Sequence, residues 1–577
     1  MEQPINRPPN RPAANDSSLW LSSELASAAR RAAALIDGNS ASATYGCADR
    51  SYWNYRTLTN FPGATWQQAT LGFAALHGAP RPGSDRIQDA ELLRLAGAAL
   101  RWWSSIQHSD GSFDEWYLNE RSYCPTAITG AGAAISLQQL GEALDQSIAK
   151  PAHEALERAG HWLAGRNNPD VMNQNVAAAV ALHGLAELTG GKHWRRAAEA
   201  KLTRIRLAQN SEGWLPEYGG ADLGYSTLAL DFLASCDALG DSGQAREIAS
   251  GLIGFLDEVQ GTGPVMPGRL GSRGTSHQFI YGALHFGQED KRAARLAQNW
   301  LDGLRGGYAT NLATVDDRYF SYFYFPQFAL AMREMTKGAS KSSAGKPAQQ
   351  TVTTDQVKSG LMVRRTADKS VTVSRRLGGA IAVCLPEGLP LYHLGYEVVT
   401  EDGKRYSSAA WDAGASISEM GAADTLKTAA TFRAVSSGVP LKYLMVPFQS
   451  VAHLLLHGRL SEAFQQAIKR RMVSPDAELP LRLTRTIRFA EDGIEVEDAL
   501  QPQPDLGKIA SVHVASQLSM HSPSARQDLG RAIEFPDGSC ETIVSRLNAG
   551  QSASIGWSCS YDGTLGTVTT GEPGTAA

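Results

Sequence analysis

A chain of 577 residues, 43% hydrophobic and 19% charged, with 56 Gly and 26 Pro, is long enough for two or three globular domains and falls outside the disordered, collagen-like and coiled-coil classes. Its 54 basic and 58 acidic side chains leave a formal charge of −4, so no whole-chain field draws it to nucleic acid or to an anionic membrane, although a local basic cleft would still suit an acidic polymer. Six scattered cysteines (Cys47, Cys124, Cys236, Cys384, Cys540, Cys559) form no CxxC pair and no metal-type cluster, and read as mostly buried thiols.

Residues 1–19 are polar and proline-rich where a secretory signal needs an apolar run of about 7–15 residues. They are expected to form a disordered arm, and the chain is placed in the cytoplasm, with the periplasm or exterior left open. No run reaches the roughly 18 apolar residues of a membrane helix.

From 20 to 336 one rhythm repeats: an Ala/Leu-rich segment with apolar positions three and four apart, then a Gly-, Pro- or Asn-containing break. Helices are expected at Trp20–Ile36, Ala90–Ile106, Ala127–Leu144, Pro151–Leu163, Val176–Leu188, Trp194–Ala208, Tyr225–Leu239, Gly243–Val259, Ser276–Phe286, Lys291–Leu304 and Tyr319–Met335. Val176–Leu188 is apolar nearly all round, whereas Trp194–Ala208 is rich in Arg; inner and outer layers follow, as in an α/α toroid with a central cleft. Residues 337–351 have almost no large apolar side chain and read as a linker. Over 352–577 short β-branched runs recur between turn signals, and RLTRTIRFAEDGIEVEDAL alternates with period two around Glu-Asp-Gly, a hairpin signature. The predicted fold is therefore multidomain α and β: an N-terminal α/α toroid followed by a C-terminal antiparallel β-sandwich.

Four clusters interrupt the helical rhythm. The first holds Asp49, Tyr52, Trp53, Asn54, Tyr55, Arg56, Trp66 and Gln67; aromatic plates beside amides suit pyranose rings, and an aromatic plug sealing the toroid suits the same residues. The second, DGSFDEWYLNERSYC, offers Glu115, Trp116, Tyr117, Asn119, Glu120, Arg121 and Tyr123, a density of bulky polar groups that is costly to bury unless they line something. The third, VMNQN, sets Asn173, Gln174 and Asn175 at the start of an apolar helix, where an amide either caps the helix or meets a substrate carboxylate. The fourth combines Trp214, Glu217, Tyr218, Asp222 and Tyr225 with Arg269, Arg273 and His277 about fifty residues on. Together they supply a carboxylate neutraliser, a base for a C5 proton and an acid for a 4-oxygen leaving group.

The runs RSYWNY, FPGATWQQA, GSFDEWYLNERSYC, NQNVAAAVALHGLAELTG, EGWLPEYGGADLGYS and GSRGTSHQF, in that order and ahead of a β-rich half, resemble the heparinase II/III-like polysaccharide lyases. That resemblance implies an α/α toroid joined to an antiparallel sandwich and cleavage of a uronate-containing polysaccharide by β-elimination, leaving a 4,5-unsaturated end. It implies Asn173 as the neutraliser of the uronate carboxylate and Tyr225 as catalytic acid, sometimes also base; the chemistry of charge offset adds Arg273 as a second neutraliser and as the cation that a tyrosine base would need. Gln174 stands where the family often has His, so the base moves to Tyr225, His277 or a sandwich residue such as His393. Tyr52, Trp53, Trp66, Gln67, Glu115, Trp116, Tyr117, Asn119, Glu120, Tyr123, Gln174, Glu217, Tyr218 and Asp222 are the expected substrate-binding residues. No cofactor is required; a structural divalent cation in the sandwich is left open, His453 and His457 reading more simply as packing. Neither nucleic acid nor membrane insertion is expected. Two other readings stay open: a glycoside hydrolase using two of Glu115, Glu217 and Asp222, and a non-catalytic glycan-binding protein of an exopolysaccharide pathway.

Overall fold

The computed structural model describes residues 17–54, 61–80, 87–240, 243–337, 352–366, 369–415, 424–435, 477–519 and 530–573. Six helices are buried on all sides: α3 (Ala69–Leu76), α5 (Tyr123–Leu140), α7 (Met172–Thr189), α9 (Leu223–Ala238), α11 (Tyr281–Phe286) and α14 (Phe325–Thr336). Each packs on the next and α14 packs back on α3, closing a ring. Around them run α1 (Ser17–Leu35), α4 (Asp89–Ser105), α6 (Gln146–Ala164), α8 (Lys192–Ala208), α10 (Gln244–Val259) and α12 (Lys291–Gly306). These are one-sided: α12 buries Ala293, Leu296, Ala297, Trp300, Leu301 and Leu304, a three-and-four spacing, and shows Arg and Asp to water. The single turns α2 (Arg50–Trp53) and α13 (Asp317–Tyr319) lie in the connections. An α/α toroid is thus the observed architecture, its two layers set by where the apolar stripe is wide or narrow.

Helix boundaries differ from the sequence reading at informative places. α1 begins at Ser17, so residues 17–19 belong to the helix and not to an arm. Only Tyr281–Phe286 of the expected Ser276–Phe286 is helical, and 276–280 are buried without regular structure. Tyr319–Met335 is not one α-helix: Phe320–Tyr324 forms a π-helical turn ahead of α14, where five consecutive aromatic and Ser side chains are all buried.

Two sheets follow. One has the order β1 (Val352–Gln356), β2 (Leu361–Arg365), β3 (Ser370–Ser374), β4 (Ala380–Cys384), β5 (Leu391–His393), β12 (Arg531–Ala532). The other has the order β11 (Ile509–Val514), β6 (Tyr396–Thr400), β7 (Arg405–Ser407), β8 (Thr425–Ala434), β9 (Glu478–Phe489), β10 (Gly493–Pro502), β13 (Ala553–Ser560), β14 (Leu565–Gly571). The hairpin falls where the alternation put it, with Phe489 opposite Ile494. All described pairings are antiparallel, as expected, except the two-residue parallel contact of β12 on β5. Glu541–Asn548 forms a short helix, α15, within this β-rich half. His453 and His457 lie outside the described residues, as do Tyr55 and Arg56.

Period-two alternation divides the first sheet between two cores. Met362, Val371, Val373, Ile381 and Val383 face the second sheet, while Leu361, Val363, Ala380, Ala382 and Tyr392 join the core of the helical ring. Between β3 and the ring the contacts are polar: Ser370 Oγ accepts from Thr262 N at 2.9 Å and Ser374 Oγ donates to Leu270 O at 2.9 Å. Inside the sandwich Arg485 and Asp498, both fully buried, form a two-bond pair at 2.7 Å each, and Tyr396 OH donates to the same carboxylate at 2.7 Å. His393 lies there too, stacked on Trp557 and 3.1 Å from Arg485 Nη2, and burial with that guanidinium drives its pKa well down. It is a core residue of the sandwich and not a base at the ring's mouth.

Of the cysteines, Cys47, Cys236, Cys384 and Cys559 are buried and Cys124 and Cys540 half-buried, all as free thiols. Among the described residues no group of three or more His, Cys, Asp or Glu side chains is placed to hold a metal ion, and no helix is long and apolar enough to cross a membrane.

Candidate active site

At the amino ends of α5, α7 and α9 the ring opens into a cleft with a cavity volume of about 110 Å³. Three of the four sequence clusters converge there, bringing Glu115, Trp116, Glu120, Asn173, Gln174, Glu217, Tyr218, Tyr225 and Arg273 to one surface. The positive ends of three helices of 16 to 18 residues point the same way, a field that favours an anion.

Local backbone pairing sets Glu217 against Asn173. Val171 and Glu217 form an antiparallel bridge, Met172 N donates to Pro216 O and Tyr218 N to Asp170 O, so the loop before α9 is stitched to the entry of α7. Asn173, one residue inside α7, then donates from Nδ2 to Glu217 Oε2 at 2.8 Å. Tyr218 takes a left-handed backbone conformation (φ 52°), strain that such a bulky residue bears only where its surroundings fix it. Its ring lies under the Arg273 guanidinium at 4.3 Å, which also stands 5.4 Å from the centroid of Tyr225 and 3.8 Å from Glu217 Oε1. Burial pushes the Glu217 carboxyl up to about 8, against the opposing pull of Arg273 and the Asn173 hydrogen bond. Arg273 stays cationic: burial disfavours its charge, and Tyr225, Tyr218 and Glu217 more than offset that.

The opposite wall is the loop 110–122. Asp114 accepts from the backbone of Asn119 and Arg121, both left-handed, and Glu120 Oε2 accepts from Glu115 N and Trp116 N. Burial and the neighbouring Glu115 raise Glu120 to about 8. Arg121 pairs with Asp110 at 2.8 Å, not with Glu120. Glu115 meets Arg318 at 2.7 Å, and Arg318 lies over the ring of Trp116 at 4.1 Å, leaving that tryptophan 55% exposed at the mouth. Gln174 reaches the cleft with its carbonyl held by Asn168 Nδ2 at 2.8 Å.

Other expected site residues serve the scaffold. Gln67 is buried, bridging Ala48 N, Gly46 O and Ala99 O; Trp53 Nε1 donates to Leu35 O; Trp66 packs on the ring core and Tyr52 leans on Trp102. None of the four lines the cleft, and the aromatic plug describes them. Tyr117 is buried beneath its loop, and Asn119 contributes a turn. Tyr123 sits behind the wall, bonding Asn175 Oδ1 at 2.9 Å and accepting from Lys201 Nζ at 3.2 Å, with its pKa raised by burial. Asp222 is fully buried as the N-cap of α9, accepting from Tyr225 N, Arg273 N and both Thr275 N and Oγ1. It anchors two site residues by their backbones and has no path to substrate. His277 lies one layer behind Tyr225, ring centroids 5.7 Å apart, with Nδ1 2.8 Å from Tyr324 OH. Burial, helped by Arg273, lowers it to about 3, so it is neutral.

The cleft also holds residues that sequence reasoning passed over: Ser122, Cys124, Ile128, and Arg318, Tyr319, Tyr322 and Phe323 from the π-helical turn and its approach. The signal available was the run DDRYFSYFYF, too aromatic for an ordinary helix start.

No protein-family model matches this sequence, and no curated protein does. Solved structures with a similar arrangement include the Streptomyces coelicolor A3 chondroitin AC lyase in complex with chondroitin sulphate, at TM-score 0.48 and 10% identity, over 85% of this chain and 68% of that one. Heparinase III aligns at TM-score 0.35 and 11% identity, over 86% of this chain and 79% of its own. A family 76 glycoside hydrolase from a bovine Bacteroides thetaiotaomicron strain aligns at 0.34 and 10%, over 56% of this chain and 77% of its own. Likenesses of this strength carry no chemistry across.

Proposed function

We propose that the protein is a lyase that cleaves a uronate-containing polysaccharide by β-elimination. The observation that carries this reading is the placing of Arg273 over the ring of Tyr225, with Asn173 in the same cleft. A proton α to an ionised carboxylate is removed only when that charge is offset, and Asn173 and Arg273 offer the offset. A phenol with an ordinary pKa of about 10 exchanges protons near neutrality only beside a cation. Tyr225 has that neighbour, lines the cleft, and is the acid for the 4-oxygen leaving group. Trp116 at the mouth gives a sugar ring a face to stack on.

The test is a screen of acidic polysaccharides by ultraviolet absorbance of the unsaturated product, with mass spectrometry alongside. Tyr225→Phe is expected to lose about 10²–10⁴-fold in kcat with the fold intact; near-normal turnover would sink the assignment. One observation favours a second reading, a glycoside hydrolase: Glu217 holds its proton to about 8 on one wall while Glu115 pairs with Arg318 on the other. Products that incorporate solvent oxygen and lack a double bond would select it.

A further inference from the structure

Asn173 is bonded to a group for which the elimination has so far had no use. Its Nδ2 carries two hydrogens, and one goes to Glu217 Oε2 at 2.8 Å. A uronate carboxylate that takes the other stands one nitrogen away from Glu217, and the carbon that must lose its proton is the atom next to that carboxylate. Resting on the lyase reading, we propose that Glu217 is the general base that removes the C5 proton, with Tyr225 as the acid.

The alternatives are badly placed. His277 is a layer behind the cleft and hydrogen-bonded to Tyr324; His393 is sealed in the sandwich. Glu217 lines the cleft, and its main chain is fixed by the bridge to Val171 and by Ser272 Oγ, which donates to Glu217 O at 2.7 Å. The charged and titratable groups around it are Arg273 and Tyr218 from its own end of the cleft, Asp222 at the cap of α9 and Asp170 before α7. Burial and the two aspartates make its carboxylate unusually basic, at about 8, while Arg273 keeps the ionised form attainable.

In the step, a Glu217 oxygen takes the C5 proton, the C5–H electron pair becomes the C4=C5 double bond, the C4–O4 bond breaks, and O4 takes the Tyr225 hydroxyl proton. Glu217 is left protonated and Tyr225 as phenolate beside Arg273. Proton return from Glu217 to the phenolate is downhill by the ordinary order of their pKa values and resets both groups.

The experiment follows C5 hydrogen–deuterium exchange by NMR in deuterated water, with a uronic oligosaccharide from the screen, for the full-length wild type, Glu217→Gln, Glu217→Asp and Tyr225→Phe. Tyr225→Phe is expected to stop chain cleavage but still wash deuterium into C5 of intact substrate. Glu217→Gln is expected to lose both by at least about 10²-fold while binding the oligosaccharide within a few-fold of wild type by calorimetry. Wild-type kcat/KM should rise about tenfold per pH unit below the Glu217 pKa, and Glu217→Asp should move that limb. Exchange lost in Tyr225→Phe, or elimination retained in Glu217→Gln, overturns the proposal and makes Tyr225 the base. Failure of the lyase reading is distinct: the wild type would then release hydrolysis products with no C5 exchange at all.

Discussion

Replacing Asp222 with Ala tests whether this buried carboxyl is a bracket for the site. It removes the cap of α9, worth about 1 kcal/mol, and takes the acceptor from Tyr225 N, Arg273 N, Thr275 N and Thr275 Oγ1 in a region closed to water. Each buried donor left without a partner costs roughly 1–3 kcal/mol, and these share one small volume, so the sum is not additive. Relief from burying a carboxyl, whose pKa burial raises, returns part of it. A net loss of about 3–5 kcal/mol is expected. Asp222→Asn, which keeps one carbonyl oxygen for Tyr225 N, should lose about half as much. Guanidinium unfolding followed by tryptophan fluorescence gives the shift in midpoint, and turnover at sub-denaturing temperature gives the effect on Tyr225 and Arg273. A loss below about 1 kcal/mol for the alanine variant would show that the four donors find other acceptors and that Asp222 does not hold the cleft together.

Two further outcomes concern parts remote from the cleft. At the carboxyl ends of α9, α11 and α14, burial disfavours a charged His285, yet hydrogen bonds to Glu334 and Asp237 outweigh this and raise its pKa. Its contribution is therefore complete below the unfolded value of about 6.5 and fades as pH rises through the folded one, so the fall in Tm between about pH 6 and about pH 9 should be smaller in His285→Gln than in wild type. In the sandwich, Asp498→Ala strands a fully buried Arg485 and should cost about 3–5 kcal/mol in chemical denaturation, most of it recovered when Arg485→Met is added.

The layering of the ring was readable because helices such as Val176–Leu188 and Trp194–Ala208 differ in how much of their circumference is apolar, and burial follows that difference directly. The hairpin at Glu491–Gly493 was readable for the matching reason in strands. β8 shows only weakly in the sequence: TLKTAATFRA has few large β-branched side chains, and its pairing with β9 supplies the order that its own composition does not. At the site, residue type showed that polar and aromatic groups gather in loops but not which way they point. Trp53 and Gln67 turn inward to plug the ring, whereas Trp116 turns outward because Arg318 covers its other face. Asp222 read as a cleft carboxylate because nothing in GGADLGYS discloses the distant Thr275 and Arg273 backbone that it gathers. Arg318 escaped notice for the same reason in reverse: its partner Glu115 lies two hundred residues away in the chain, a proximity only the closed ring creates.

The strands β2 to β4 serve two cores at once, one alternate set of side chains for each. Recombination that replaced either half of the chain with an unrelated fold would leave one set of those side chains wetted and adhesive. Ring and sandwich therefore share one wall, and an insertion into β2 or β4 would disturb both cores where one in an outer loop disturbs neither.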